Sequence, residues 1–127
     1  MSVVDANIIL RYVLDDHPEL SPKAAEILER QAVTLPMEAA CEVVYVLQKV
    51  YSVERQAIQQ QLSRLLDENL VSLDKPAVFL KALECYCTST FDFVDALLWA
   101  YHLVKGQEVF TFDRKLHLHI RRTDEQM

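Results

Sequence analysis

Ser2-Val3-Val4-Asp5-Ala6-Asn7-Ile8-Ile9-Leu10-Arg11-Tyr12-Val13-Leu14 decides the fold. Residues 2–4 are a very short apolar run of strand type, and the run stops on a carboxylate. The almost wholly apolar stretch 8–14 follows with room for no more than a tight turn, so a helix starts nearly where the strand ends. A strand that turns straight into a helix puts its last residue at the carboxyl edge of a sheet, where ligands bind in open α/β folds. Asp5 therefore has two readings. It caps the helix, a position that Asp and Asn both favour, or it is the first acid of a site. The choice rests on whether other acids join it.

Outward from this unit, strands and helices alternate. Asp15-Asp16-His17-Pro18-Glu19 is a polar break, and Ser21-Pro22 reads as a cap and first helical residue of a helix to about Gln31. Val33-Thr34-Leu35 is a second β-like run, closed by Pro36. Ala39, Val43, Val46, Leu47 and Val50 recur at helical spacing. Ser52 is placed to cap a helix over about 53–66. Leu70-Val71-Ser72-Leu73 is a third strand, and Lys75-Pro76 opens a helix to about Cys87. Phe91-Asp92-Phe93 leads into the most apolar helix, which ends near Gly106, where a left-handed residue is expected. Val109-Phe110-Thr111 is a fourth strand, and it stops on Phe112-Asp113. His119-Ile120-Arg121-Arg122 reads as a weak edge strand, with residues 123–127 as a frayed tail. No hairpin signal intervenes. The pattern describes βαβ units in a parallel sheet covered by helices, one α/β domain over residues 1–127.

Composition narrows the function. The 127 residues include only one Gly, so no glycine-rich phosphate loop can be written. The net charge of −6 argues against a broad basic nucleic-acid surface. It leaves nucleic acid open as a substrate, because bound cations reverse the charge of an acidic site. Cys41, Cys85 and Cys87 sit in apolar surroundings and read as reduced, buried thiols of a cytoplasmic protein. No signal peptide or membrane span is expected.

Most of the 19 acids fall on polar helix faces or helix ends. Four do not. Asp5 ends the first strand, and Asp113 ends the fourth in the same way. Glu42 lies in Ala39-Ala40-Cys41-Glu42-Val43-Val44, near the start of an apolar helix. Asp95 lies between Val94 and Ala96-Leu97, three residues after Asp92. Simpler readings exist: Asp92 and Asp95 can form a capping pair, Glu42 can serve the helix dipole, and Asp113 can be a turn residue. Yet strand ends and helix starts share one edge of a parallel sheet, and four carboxylates there need positive charge among them. Oxygen donors without matching His or Cys select Mg²⁺ or Mn²⁺. Such a site suits phosphoryl chemistry with an activated water. Thr111 and Asn7 are placed to orient a water, a phosphate oxygen or Asp5, and Arg114 and Lys115 to hold the substrate backbone. The four His form no site, and Tyr45, Tyr51, Trp99 and Tyr101 read as core.

Asp5-Ala6-Asn7-Ile8-Ile9-Leu10-Arg11-Tyr12 resembles the opening motif of PIN-domain nucleases. Glu42 before Val43-Val44-Tyr45-Val46-Leu47, Asp92-Phe93-Val94-Asp95-Ala96 and Thr111-Phe112-Asp113-Arg114-Lys115-Leu116 resemble their second, third and fourth motifs. In size the chain is similar to the VapC-type toxins of toxin–antitoxin pairs. The resemblance implies a three-layer α/β/α sandwich with a short central parallel sheet of four to five strands. It implies a Mg²⁺- or Mn²⁺-dependent endoribonuclease with Asp5, Glu42, Asp95 and Asp113 as metal ligands. It further implies a tRNA or ribosomal RNA substrate, a homodimer and a cognate antitoxin whose C-terminal segment covers the site. The short end after Leu116 departs from the pattern and leaves the fifth strand open. RNA would need a local patch such as Arg11, Arg114, Lys115, Arg121 and Arg122. Two rivals remain: a PIN-like scaffold domain without turnover, and a phosphoacceptor domain of receiver type, which needs an acid pair that the first strand lacks.

Overall fold

The computed structural model describes residues 2–127. The chain divides into two compact units, the first running to Pro76 and the second spanning Ala77–Met127. The first holds β1 (Ser2–Val3), α1 (Ala6–Leu14), α2 (Leu20–Arg30), β2 (Val33–Thr34), α3 (Met37–Lys49) and α4 (Arg55–Asp67). The boundary falls at the start of α5 (Pro76–Thr88), and α6 (Phe93–Lys105) and α7 (Arg114–Gln126) complete the second.

In the first unit β1 and β2 pair in parallel, Ser2 opposite Val33 and Val3 opposite Thr34. Parallel neighbours need a crossover connection, which α1 and α2 supply. The Val4 N–H extends the pairing by donating to the Thr34 carbonyl at 3.0 Å. Of the expected α3 stripe, Val43 and Leu47 are buried, Ala39 and Val46 half-buried, and Val50, just past the helix end, is exposed; Ile9, Val44 and Ile58 are buried too. Two helix starts differ from the sequence reading. The α2 helix begins at Leu20, and the N–H groups of Glu19 and Leu20 donate to His17 Nδ1 at 3.2 and 2.9 Å. Ser21 is buried inside the helix and accepts from the His17 N–H at 3.1 Å. An imidazole lone pair thus does the work expected of a Ser hydroxyl. Ser52 takes a left-handed turn (φ 55°), and α4 starts later, at Arg55.

In the second unit the Phe93 ring meets Phe79 and Tyr86 edge-on, with centroids 5.6 and 5.7 Å apart. The Trp99 indole N–H donates to Thr123 Oγ1 at 2.9 Å, which joins α6 to α7. His119 lies 5.2 Å from both the Phe91 and Trp99 rings, and Leu116 is fully buried. Gly106 ends α6 at φ 66°, the left-handed C-terminal position predicted for it.

The four-to-five-stranded sheet is not observed among the described residues. They contain two paired strands and one isolated parallel bridge, Thr34 to Ser72, at the expected third strand. The fourth, residues 109–112, carries no regular secondary structure and lies outside any sheet. It keeps a strand's alternation, with Val109 and Thr111 half-buried and Phe110 and Phe112 exposed. Side-chain pattern specifies an extended backbone, but a strand exists only through a partner's hydrogen bonds. The expected edge strand and tail beyond Leu116 are instead helix α7. Its polar residues carry no strand alternation, and Asp113 supplies a cap. The three thiols are free; Cys85 is buried, Cys41 and Cys87 half-buried. No helix among the described residues is long and apolar enough to cross a membrane.

Candidate acidic site

Asp5 leaves β1 in extended conformation, and its Oδ1 accepts from the Ile8 N–H at 3.2 Å. It is therefore the N-cap of α1. The capping oxygen satisfies one of the donors that a helix start leaves unpaired. The Asp5 side chain remains exposed, and exposed Asn7 sits in the first turn beside it. A shallow hollow along β1 is lined by Asp5, Ile8, Pro36 and Glu38. Glu38 is thus the α3 acid that shares this hollow, one turn before Glu42. Glu42 itself is exposed on α3. The sequence reading singled out Glu42 and passed over Glu38, one helical turn earlier.

The second unit brings three acids near one another. Asp92 is the N-cap of α6, without a side-chain bond to the helix, and Asp95 stands in its first turn. Asp113 is the N-cap of α7, and its Oδ1 accepts from the Leu116 N–H at 2.8 Å. Burial pushes the half-buried Asp95 carboxyl above the usual carboxylate range. The negative charges of Asp113 and Asp92 push the same way, and the Lys115 ammonium opposes them. Thr111 Oγ1 accepts from the Asp113 N–H at 3.0 Å, so Thr111 steadies the turn that presents Asp113.

The basic residues divide by what already holds them. Lys115 donates to Thr90 Oγ1, and its ammonium lies 4.5 Å from the centre of the Phe91 ring. Thr90 and Phe91, neither of them singled out as a site residue in the sequence, thus hold the Lys115 cation. Arg11, expected in an RNA-binding patch, is committed elsewhere. Its Nη1 meets Asp16 Oδ1 at 2.7 Å, and Nη2 donates to the Tyr51 hydroxyl at 3.0 Å. Arg121 pairs with Glu125 at 3.8 Å. Arg114 and Arg122 are exposed and form no ion pair among the described residues. The expected aromatic core is only partly observed. Trp99 is buried, but Tyr45, on the outer face of α3, is 62% exposed, and Tyr51, in the turn beyond α3, is 40% exposed.

The donor set is carboxylate throughout, which suits a hard divalent ion. The unfavourable crowding of Asp95 by two like charges fits a group that gains from a cation. Among the described residues, however, no group of three or more His, Cys, Asp or Glu side chains stands close enough to hold a metal ion. A family model described as PIN domain matches residues 2–123. No curated protein and no solved structure gives a significant match.

Proposed function

The chain belongs to the PIN-domain family, whose members are generally metal-dependent nucleases, and from that premise we propose that it is an endoribonuclease toxin of the VapC type. The observation that carries the reading is Asp95, a half-buried carboxylate with Asp92 and Asp113 as like-charged neighbours. Asp5, Glu42, Asp95 and Asp113 are the residues that would hold Mg²⁺ or Mn²⁺. When bound, the ion supplies positive charge at the phosphodiester and lowers the pKa of water. Asp5 and Asp113 orient their carboxylates through the same oxygens that cap α1 and α7. Thr111 fixes the Asp113 turn, and Asn7 stands ready to hold a water near Asp5. Lys115 and Arg114 attract the RNA backbone, with Lys115 held by Thr90 and Phe91. Water adds to phosphorus, the bond to the 3′ oxygen breaks, and the products carry a 5′-phosphate and a 3′-hydroxyl. The substrate proposed is tRNA or ribosomal RNA in the cytoplasm. The protein is proposed to act as a homodimer, restrained by an antitoxin whose C-terminal segment covers the site.

Purified protein incubated with tRNA and ribosomal RNA tests this. Cleavage with Mg²⁺ or Mn²⁺, abolished by EDTA and in Asp95→Asn, supports it. A second reading draws on the lack of any three-ligand group among the described residues. It is a PIN-fold partner-binding domain without turnover. Calorimetry separates the two: the nuclease binds Mn²⁺ and the scaffold does not.

A further inference from the structure

His102 lies in the last turn of α6, and both of its ring nitrogens face acceptors. Nε2 is 2.7 Å from Asp124 Oδ1, near the end of α7. Nδ1 is 2.8 Å from the carbonyl oxygen of Gln107, the residue after Gly106. A carbonyl and an ionised carboxylate only accept, whereas neutral imidazole carries a single N–H. Both contacts are hydrogen bonds at once only in the doubly protonated ring. After one proton leaves, a nitrogen lone pair faces an oxygen lone pair. The bond to a carboxylate is the stronger of the two, so the Gln107 contact is the one lost.

Gln107 begins the irregular segment 107–113, between the end of α6 and the start of α7. Phe110 is 86% exposed and Phe112 entirely so, which leaves little apolar packing to hold the middle of the segment. Its far end is fixed by Asp113, the cap of α7. Its near end is fixed by the Gln107 carbonyl on His102.

We propose that His102 is a positioning residue: doubly protonated it ties the start of segment 107–113 to both α6 and α7, and loss of one ring proton frees that start. The bonds to Asp124 and to the Gln107 carbonyl raise the pKa of His102 above the ordinary histidine value of 6.5, against a smaller opposing effect of burial. Asp124 on α7 is the charged group that acts on the ring. Because the folded-state pKa is raised, the tether is fully present below the unfolded value and is lost as pH rises through the raised one. The Trp99–Thr123 bond contains no group that titrates there, so α6 and α7 stay joined as the segment loosens.

Carbon-detected NMR on the full chain between pH 5.5 and 9 tests the tether without any assumption about nuclease activity. The His102 ring and the Gln107 carbonyl carbon are expected to titrate with one midpoint, and residues 107–112 to become more mobile across the same range. Asp124→Asn keeps an acceptor oxygen and removes the charge, so it is expected to move both midpoints to lower pH together. In His102→Gln the pH step in Gln107 is expected to vanish. A Gln107 carbonyl that ignores pH overturns the proposal. So does a step that persists in His102→Gln, or one that stays in place when the His102 midpoint moves. Should Asp124→Asn fail to fold, the comparison of the parent with His102→Gln decides alone.

Discussion

Asp5 and Asp113 each hold a structural and a proposed chemical task in one carboxylate, and the two can be separated. Both accept from a backbone N–H three residues on, at 3.2 and 2.8 Å. Asn caps a helix about as well as Asp, whereas Ala costs roughly 1 kcal/mol. Asp5→Asn and Asp113→Asn are therefore expected to keep the parent's urea midpoint within error and to lose Mn²⁺ binding and RNA cleavage. Asp113→Ala is expected to lose the same functions and about 1 kcal/mol of stability as well. Asp95 adds a pH dependence. Its folded-state pKa is raised, first by burial and then by Asp113 and Asp92, so the folded state favours the protonated acid. Stability from this group is present below the unfolded value of 3.8 and falls as pH rises through the raised one. Asp95→Asn is expected to be more stable than the parent at neutral pH without metal, with the gap closing below that value. Urea titrations at two pH values would check it, and an equal gap at both would count against the crowding of Asp95. These acids stand out in the sequence because each interrupts an apolar run. The partners of Arg11 and Lys115 were not, since Tyr51 and Thr90 lie far from them along the chain.

Helices α1 to α6 were legible in type because apolar spacing reports a buried face directly, whereas the polar α7 read as an edge strand and tail. Their ends were legible only where the capping group was of the expected kind. Asp5 and Gly106 cap as their residue types suggest, whereas α2 is capped by His17, and Ser52 turns rather than caps. Strands were less legible, since the Val109-Phe110-Thr111-Phe112 pattern carries no information about a partner. Two substitutions probe the α6–α7 unit. A Cβ on Gly106 would meet nothing within 4 Å, so Gly106→Ala carries only the backbone cost of φ 66°. That cost is about 1–2 kcal/mol by chemical denaturation. Leu116 is fully buried in the first turn of α7, so Leu116→Ala is expected to cost about 2–5 kcal/mol. A loss well under 1 kcal/mol there would mean that α7 contributes little to the unit.

At the scale of the whole molecule, the PIN-domain match runs over residues 2–123 and so includes residues of both compact units. The family was legible because its motifs are local: an acid with its flanking apolar residues can be read from one stretch. A shared metal cannot be read in that way, since it depends on how separate stretches meet. With a net charge of −6, the molecule cannot hold RNA by overall attraction. On the proposed nuclease reading, the cation would serve binding as well as chemistry. The most direct measurement is cleavage of end-labelled tRNA and ribosomal RNA by the parent, Asp5→Asn and Asp95→Asn, with Mn²⁺ and with EDTA. A metal-dependent nuclease is expected to give discrete products with 5′-phosphate ends from the parent with Mn²⁺, and none with EDTA or from either variant. Cleavage that survives EDTA, or that both variants perform at the parent's rate, would contradict it.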